Sequence, residues 1–362
     1  MLRVALDTNS VYVTRAGTSR YVRGLLGGLR RLSPADVSFM ELSWPVENFG
    51  YRQPGRALKT AYREWIWSTY VAPKAASRMH ADILHRCTPS LPIVKPPGVR
   101  EVVTLHDLAI LRRPERYRWW QRFSEPRRLH LLHRADRVIC DSHFTASEAM
   151  SLLGLSPAKL EVVYLGSSLA AEYPAENDVP AGVALPEQFF LFVGSLEPGK
   201  NLRLLREAYG LAGGGKPLLP LVVVGARWPG VQHEGGEEKG WIYLGYQPDH
   251  VVAALYRRAV ALLFPSLYEG FGLPVLEAMS MGCPVVCSRV ASLPEVGGEA
   301  VCWSDLTPAA YGDAMRRMAT DSVAREHYAG AGLVQAAKFS WDFCAARVLE
   351  IYRAVSDGRQ GS

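Results

Sequence analysis

Short apolar runs alternate with longer amphipathic stretches along most of the chain, and this pattern predicts alternating strands and helices. The predicted strands are rich in Val, Ile, Leu and Phe, and they span residues 2–6, 101–105, 137–141, 160–165, 189–194, 220–225, 241–245, 261–265 and 284–288. The predicted helices carry apolar residues at helical spacing, and they span residues 19–32, 143–154, 202–213 and 250–259. Because buried strands that alternate with helices pair in parallel, the pattern predicts an α/β fold.

A chain of 362 residues is long enough for two domains of ordinary size. The segment 167–188 is rich in Pro, Ala and acidic residues and marks the predicted break between them. We predict an N-terminal Rossmann-like domain at residues 1–170, a linker at 171–188 and a C-terminal Rossmann-like domain at 189–338. Residues 339–362 are predicted to form an amphipathic helix with a frayed tail. In doubly wound sheets, ligands are expected beyond the carboxyl ends of the strands, here in a cleft between the domains.

Charge is distributed unevenly between the two halves of the chain. Residues 1–170 contain 25 Lys and Arg against 14 Asp and Glu, whereas residues 171–362 contain 16 against 21. Arginines of the segment 111–137 are interleaved with the aromatic residues Tyr117, Trp119, Trp120 and Phe123. Two interpretations stay open: a solvated helix pair with aromatic packing, or a surface that attracts an anionic membrane or a phosphate-bearing substrate. No nucleic-acid-binding motif accompanies the charge, so a nucleic-acid partner is not expected.

Composition also bounds the cellular setting. No apolar run approaches the roughly 18 residues of a membrane span, and the N-terminus has no signal-peptide pattern. The chain has six cysteines and no Cys-x-x-Cys pair, so neither a disulfide scaffold nor a structural zinc site is expected. We expect a cytoplasmic protein, and the basic half raises the option of peripheral contact with the inner face of a membrane.

The segment "FLFVGSLEPGKNLRLL", residues 190–205, has the pattern of a phosphate-binding loop. A buried strand ends at Gly194, a tight loop follows, and Lys200 precedes a helix. A lysine beside a helix N-terminus, with glycines that allow close backbone approach, suits a phosphate group. The alternative is an ordinary surface lysine.

The segment "PSLYEGFGLPVLEAMSMGCPVV", residues 265–286, contains two glutamates eight residues apart, Glu269 and Glu277. Gly270 and Gly272 prevent a continuous helix, and Pro274 suits the first turn of a helix that begins there. The sequence therefore predicts a loop that carries Glu269 and a helix that carries Glu277 in its first turn or just beyond.

These two glutamates suit the hydroxyl groups of a sugar nucleotide. A carboxylate accepts hydrogen bonds from hydroxyl pairs, and the backbone N–H groups near residues 270–273 suit anionic or hydroxyl oxygens. Together with the phosphate-binding loop, they describe a nucleotide-sugar pocket. The alternative is that each glutamate only stabilises a helix dipole.

The N-terminal half offers weaker signals. Gly17 follows the first predicted strand and precedes Thr18 and Ser19, either of which can cap the next helix. His106 directly follows the predicted strand 101–105, at the sheet edge where ligands bind. A lone histidine is more often structural than catalytic, so both interpretations of His106 stay open.

Several catalytic motifs are absent from the sequence. No Asp-x-Asp pair occurs, so transfer without a bound divalent metal is expected. No Gly-x-Ser-x-Gly occurs and no Gly-x-Gly-x-x-Gly follows the first strand, which disfavours hydrolases and dinucleotide enzymes. We therefore expect no cofactor, with a nucleotide-diphosphate sugar as the donor substrate.

Residues 244–296, "LGYQPDHVVAALYRRAVALLFPSLYEGFGLPVLEAMSMGCPVVCSRVASLPEV", closely resemble the signature of the retaining GT-B glycosyltransferases of family 4. Glu269 and Glu277 match the family's Glu-x7-Glu motif. Shorter segments are similar to other elements of the family: "FVGSLEPGKN" to its phosphate loop, "HDLAI" to its N-domain histidine segment, "AGTSRYVRGLL" to its first glycine loop and "DSHFTASEAM" to a further N-domain element. The resemblance covers nearly the whole chain.

The resemblance implies a GT-B fold, with two doubly wound Rossmann-like domains facing a central cleft and a last helix that crosses back to the N-terminal domain. The implied catalytic residues are His106, Lys200 and Glu269. The implied donor-binding residues are Gly17, Gly194, Ser195, Lys200, Gly245, Tyr246, Glu269, Gly270, Phe271, Gly272, Leu273 and Glu277.

The resemblance also implies a role for each part of the pocket. Glu277 would bind the ribose hydroxyls, Lys200 the diphosphate, and Glu269 the transferred sugar. His106 would contact the sugar, and backbone near Gly245 would meet the base. Family members are thought to retain the anomeric configuration by front-face displacement, in which the departing phosphate helps to deprotonate the acceptor.

The sequence departs from the family pattern at three positions. Gly199 and Ser195 stand where the family often has an arginine, so neutralisation of the diphosphate would depend more on Lys200. Ser19 stands where many members have a second glycine in the first loop.

The function expected from these observations is transfer of a hexose to a saccharide, lipid-linked or small-molecule acceptor. The loop "VGSLEPGKN" is most similar to those of polysaccharide mannosyltransferases, which suggests mannose from GDP-mannose. One alternative is a soluble-sugar synthase of the same fold. Another is a protein that binds a nucleotide sugar or a polyanion without catalysis.

Overall fold

The computed structural model describes residues 1–14, 17–47, 55–90, 95–117, 119–174, 185–212, 218–226 and 240–358. The chain forms two compact units. The first unit comprises Met1–Arg112, Trp119–Gly166 and Ser340–Ser362, and the second comprises Arg113–Arg118 and Ser167–Phe339. Residues 175–184 of the predicted linker and 359–362 of the predicted tail lie outside the described residues.

The first unit is built on a parallel sheet, which has six strands in the described chain. They are β1 (Leu2–Asp7), β2 (Val37–Leu42), β3 (Ile83–Arg86), β4 (Arg100–Leu105), β5 (Arg137–Cys140) and β6 (Leu160–Val162). Their spatial order is β2-β1-β3-β4-β5-β6. The chain reverses its direction of travel across the sheet between β1 and β3, whose ends pair at Asp7 and Arg86. This reversal is the switch point of the first unit.

Helices connect and cover these strands. They are α1 (Gly17–Leu32), α2 (Arg56–Ala61), a π-helix (Tyr62–Val71), α3 (Ala72–Arg78), α4 (Ala109–Arg112), α5 (Trp119–His130) and α6 (His143–Leu153). Local sequence determines the ends of α6: the Ser142 hydroxyl accepts a hydrogen bond from the Thr145 N–H, and Gly154 ends the helix in the left-handed conformation.

The second unit contains a second parallel sheet, again with six strands among the described residues. They are β7 (Phe190–Val193), β8 (Leu221–Val224), β9 (Trp241–Gly245), β10 (Ala261–Phe264), β11 (Val285–Ser288) and β12 (Cys302–Ser304). The spatial order is β12-β11-β10-β7-β8-β9, which is the order of a Rossmann sheet. The switch point lies between β7 and β10, and ligands bind at the carboxyl ends of the strands at such a point.

Helices of the second unit are α7 (Leu169–Glu172), α8 (Leu202–Ala212), α9 (Asp249–Arg258), α10 (Leu273–Ser280), α11 (Leu293–Gly297), α12 (Pro308–Thr320) and α13 (Ser322–Ala336). On one face of the sheet, α8 and α12 pack against the strands, and Tyr209, Tyr311 and Met315 join the core there. The Tyr311 hydroxyl donates to the carbonyl of Val286 at 2.9 Å, so its polar end is satisfied inside the core.

The structure confirms the predicted α/β fold class and each predicted strand and helix, with small differences at their ends. Three strands were not predicted, because they are short or contain polar residues. β2 lies at an edge of the sheet and its apolar run is interrupted by Ser38 and Glu41, and β12 has only three residues. In β3, the buried His85 and Arg86 interrupt the apolar run that identifies a strand.

The last helix, α14 (Trp341–Asp357), packs against α1 in the first unit. Gly28 of α1 makes this close approach possible. A Cβ atom at Gly28 would lie 2.5 Å from the carbonyl oxygen of Trp341 and 2.8 Å from the Cβ of Ala345. A Cβ atom at the neighbouring Gly27 would meet only the end of an arginine side chain, at 3.3 Å.

We expect Gly28→Ala to lower the free energy of unfolding of the first unit by about 1–3 kcal/mol, because the new methyl group collides with the α14 backbone. Gly27→Ala is the matched control. It should raise the stability by up to about 1 kcal/mol, because alanine favours the helix and has space there. Urea denaturation followed by circular dichroism measures both effects, and equal effects of the two variants would contradict this packing.

Candidate functional site

Two loops meet at the switch point of the second unit. One follows β7 and leads through Gly199 and Lys200 into α8, and the other follows β10 and leads through Leu267 into α10. The Leu267 N–H donates to the carbonyl of Gly199 at 2.8 Å. The Asn201 side-chain amide donates to the carbonyl of Pro265 at 3.3 Å. These hydrogen bonds hold the two loops side by side.

Lys200 and Glu269 form an ion pair where these loops meet. The ammonium group of Lys200 donates to Oε1 of Glu269, and each side chain is only 11% exposed. The ammonium group also lies 5.4 Å from the centre of the Phe264 ring. The Ser292 hydroxyl donates to the carbonyl of Glu269 at 2.9 Å, which fixes the backbone there. The structure therefore brings together two of the three predicted catalytic residues.

A glycine turn separates Glu269 from α10. Gly272 precedes the helix with a φ of +104° and, as a glycine, offers no side chain to cap the helix N-terminus. A Cβ atom at Gly272 would lie 2.6 Å from a methyl carbon of Leu293, so both conformation and space favour glycine. Pro274 lies in the first turn of α10, as predicted. Gly270, Phe271 and Leu273 are buried in this turn. The turn therefore directs the N-terminus of α10, where anions are stabilised, to the switch point.

Glu277 lies in the second turn of α10 and is 2% exposed. The hydroxyl of Tyr256, on α9, donates to its Oε2 at 3.3 Å. Sequence reasoning missed Tyr256. Its position in the sequence could have identified it. Tyr256 lies four residues after the apolar Val252 in the predicted helix 250–259, and residues at this spacing share one face of a helix, here the buried face.

The remaining predicted residues of the second unit lie at the carboxyl ends of β7 and β9. Gly194 and Ser195 follow β7, Gly245 ends β9 with a φ of +67°, and Tyr246 is 47% exposed. Gly225 lies between them and was missed. Its N–H donates to the carbonyl of Gly245 at 2.8 Å, and a Cβ atom there would lie 1.7 Å from the carbonyl oxygen of Gly194. Only glycine fits at this position, and the available signal was a glycine at the end of the predicted strand 220–225.

Gly17 and His106 belong to the first unit. Gly17 is the exposed first residue of α1. His106 follows β4, and its ring nitrogens lie 2.7 Å from the Asp141 carboxylate and 3.0 Å from the carbonyl oxygen of Cys87. The rings of Tyr21 and His106 pack edge to face, with their centres 5.0 Å apart. Asp141 was not predicted as a partner of His106. The available signal was its position at the end of the predicted strand 137–141, because His106 directly follows another predicted strand, 101–105.

Metal ligands were not predicted at this site. In the part of the chain that the structure describes, no three His, Cys, Asp or Glu side chains are grouped as metal ligands would be.

Comparisons with known proteins identify relatives of both units. Residues 15–170 match the family described as "Glycosyltransferase Family 4", and residues 187–321 match "Glycosyl transferases group 1". The chain is 36% identical over 273 residues to O-antigen chain mannosyltransferase B of Escherichia coli, and the aligned region covers 70% of each chain. It is 30% identical over 274 residues to the serotype-specific mannosyltransferase WbdA of Escherichia coli, covering 69% of this chain. The chain spans 33% of the length of that relative.

A solved structure has the same fold. The crystal structure of Anabaena HepE in complex with UDP and glucose matches this chain with a TM-score of 0.69 and 16% sequence identity. The match covers 98% of this chain and 100% of the HepE chain. The chain therefore belongs to the glycosyltransferases of family 4, enzymes that use a nucleotide-sugar donor, and has their GT-B fold of two Rossmann-like units.

Proposed function

We propose that this glycosyltransferase moves mannose from GDP-mannose to a saccharide acceptor, with retention of the anomeric configuration and without a metal ion. The part-buried Lys200–Glu269 ion pair at the switch point of the second unit is the observation that carries the proposal. It provides a cation for a diphosphate and a carboxylate for sugar hydroxyls at one place. The choice of mannose is supported by the 36% identity to O-antigen chain mannosyltransferase B. A growing polysaccharide is the acceptor that this relative suggests.

Donor binding would exchange the partners of Lys200. A diphosphate that enters beside the N-terminus of α10 competes with Glu269 for the ammonium group. Glu269 is then able to accept hydrogen bonds from hydroxyl groups of the mannose. The backbone of Gly270, Phe271 and Gly272 would line this contact. The ion pair keeps both charges satisfied until the donor arrives, which limits the cost of burying them.

The nucleoside would occupy the rest of the edge of the sheet. Glu277, positioned by Tyr256, would accept hydrogen bonds from the two ribose hydroxyls. The glycines at the ends of β7 and β9 leave space for the backbone to approach the diphosphate and the base, with Tyr246 beside the base. Gly17, the first residue of α1 in the first unit, stays a predicted donor-binding residue.

Chemical assistance in this site would be mainly electrostatic. The bond between mannose and phosphate breaks as negative charge develops on the departing diphosphate, and Lys200 with the α10 N-terminus stabilises that charge. The departing phosphate takes the proton of the acceptor hydroxyl, so no protein base is required for this step. Glu269 holds the sugar while positive character develops on it.

The basic first unit would make peripheral contact with an anionic membrane. Trp119 and Phe123 of α5 are 73% and 65% exposed, and Trp65 of the π-helix is 58% exposed. Arg128 lies over the Trp65 ring at 5.2 Å. Trp119 and Phe123 lie at the surface and are not part of the hydrophobic core. Exposed aromatic and cationic groups together favour a lipid interface.

The Trp120 side chain lies outside the described residues. Among the helices of the described chain, none is both long and apolar enough to span a bilayer. The contact that we propose is with the headgroup region, through the exposed aromatic and cationic side chains.

We expect Lys200→Met to weaken GDP-mannose binding by about 10- to 100-fold, because a charge-assisted contact to the diphosphate is lost. Calorimetric titration without added metal, against UDP-, GDP-, ADP- and dTDP-sugars, measures the affinity and the choice of base. Lys338→Met, which removes an exposed lysine after α13, is the control and should bind like the wild type. Unchanged affinity in Lys200→Met would contradict the assigned role, and binding of another nucleotide class would contradict GDP-mannose.

Glu269→Gln should lower kcat by about 100-fold or more while nucleotide binding stays within a few-fold, because the amide keeps the shape but loses the charge. Mannose transfer to a polysaccharide primer, followed with a radiolabelled donor, gives kcat. Glu207→Gln, at an exposed site on α8, is the matched control. Full turnover in Glu269→Gln would rule out this role, and a wild type that binds donor but never transfers sugar would favour a binding protein without catalysis.

Replacement of Trp119 and Phe123 by serine should weaken sedimentation with phosphatidylglycerol vesicles by about tenfold or more, because two exposed aromatic groups leave the interface. Binding by the wild type should also fall as salt rises. Phe343→Ser removes an aromatic group that is 68% exposed on α14, and it should have no effect. Salt-independent binding, or equal loss in the control, would argue against this surface.

A further inference from the structure

The short turn that carries Lys200 is organised by Glu197. This turn is a 3₁₀ helix at Pro198–Lys200, and Glu197 precedes it with an extended backbone. The Gly199 N–H donates to Oε2 of Glu197 at 2.7 Å. The Lys200 N–H donates to the backbone carbonyl of Glu197 at 3.0 Å. Glu197 therefore accepts hydrogen bonds from the turn through both its side chain and its backbone.

Burial makes the side-chain hydrogen bond important. Glu197 is 4% exposed and Gly199 is buried, so water does not readily replace either partner. Pro198 has no N–H, which makes the Gly199 N–H the first donor of the turn. A buried N–H that loses its acceptor is destabilising. Without the Glu197 carboxylate, the turn would shift until this N–H reached another acceptor.

The carbonyl of Gly199 joins the same turn to the second loop of the site. It accepts a hydrogen bond from the Leu267 N–H at 2.8 Å. Leu267 lies two residues before Glu269, and Lys200 directly follows Gly199. The two hydrogen bonds of Gly199 therefore form a series that runs from the Glu197 carboxylate to the loop of Glu269. The position of Gly199 sets where Lys200 lies relative to Glu269.

The other hydrogen bond between the loops does not fix the same part of the site. The Asn201 side-chain amide donates to the carbonyl of Pro265 at 3.3 Å, which is longer than the bond from Leu267. Pro265 directly follows β10, whereas Leu267 lies two residues from Glu269. The Leu267 bond therefore controls the part of the loop that carries the carboxylate.

We propose that Glu197 is a positioning residue for the donor site, which acts through Gly199 and Leu267. It keeps Lys200 and Glu269 in place when the donor has separated their ion pair. The ion pair cannot do this itself, because the diphosphate takes the ammonium group from Glu269. The role in donor binding rests on the proposed function, whereas the hydrogen-bond series does not.

Hydrogen exchange tests the hydrogen-bond series without any activity. Glu197→Ala removes the side-chain acceptor, and exchange of the Leu267 amide should become faster by about tenfold or more, because its bond to Gly199 opens more often. Mass spectrometry of peptic peptides that contain Leu267 measures this rate. An unchanged rate in Glu197→Ala would overturn the proposal.

Asp321→Ala is the matched control. The Asp321 carboxylate also accepts a backbone hydrogen bond at the start of a helix, from the Ala324 N–H at 2.9 Å, and it belongs to the same unit. Its loss should leave exchange of the Leu267 amide unchanged. Equal acceleration in the two variants would indicate a general loss of stability and would also overturn the proposal.

Glu197→Gln separates the acceptor from the charge. The amide oxygen can accept the Gly199 N–H, so exchange of the Leu267 amide should stay within about twofold of the wild type. Exchange as fast as in Glu197→Ala would mean that the negative charge is required, and it would overturn the role of Glu197 as an acceptor.

A double-mutant cycle tests the role in the donor site. Calorimetric titration with GDP, which has the diphosphate but no sugar, reports the contact with Lys200. Glu197→Ala should weaken GDP binding about fivefold or more in the wild type but less than about twofold in Lys200→Met, because Glu197 acts through the placement of Lys200. Asp321→Ala should have no effect in either background.

Equal losses of affinity in the two backgrounds would show that Glu197 acts independently of Lys200 and would overturn its role in the donor site. Absence of GDP binding by the wild type would contradict the proposed function and, with it, the donor role. Hydrogen exchange would then still decide whether Glu197 holds Gly199 and Leu267 in place.

Discussion

Parallel strands deliver the loops that follow them to one edge of a sheet, and the candidate site depends on this constraint. In the second unit, the order of the strands reverses between β7 and β10, so the two loops that leave these strands begin side by side. Hydrogen bonds from Leu267 to Gly199 and from Asn201 to Pro265 then join the loops. This arrangement lets Lys200 and Glu269, which are 69 residues apart, form a part-buried ion pair.

The same constraint explains why much of the fold was predictable from the sequence. Central strands of parallel sheets are covered on both faces, so β4, β7, β8, β10 and β11 appear as nearly continuous apolar runs. Prediction of strands failed where polar residues are buried. In β3, His85 and Arg86 are fully buried, yet their polar groups bond to Thr104, Tyr352 and Glu101, which the local sequence does not reveal.

Prediction of the site followed a similar division. Lys200 and Glu269 were identifiable, because each belongs to a local pattern of strand, glycine-containing loop and helix. Tyr256, Gly225 and Asp141 were missed, since each is defined by a contact with a residue distant in the sequence. Tyr256 reaches Glu277 from another helix, and Gly225 is required because a neighbouring strand passes too close for a side chain. Such constraints arise only when the chain has folded.

The packing of α14 on α1 also orders events during synthesis. The helix that covers Gly28 leaves the ribosome only after residues 167–339 have been made, and those residues form nearly all of the second unit. The second unit can therefore fold while the first still exposes the apolar face of α1, and the first unit completes its core last. During that interval the uncovered face of α1 is available to chaperones, and a nascent chain that stops before Trp341 keeps it uncovered.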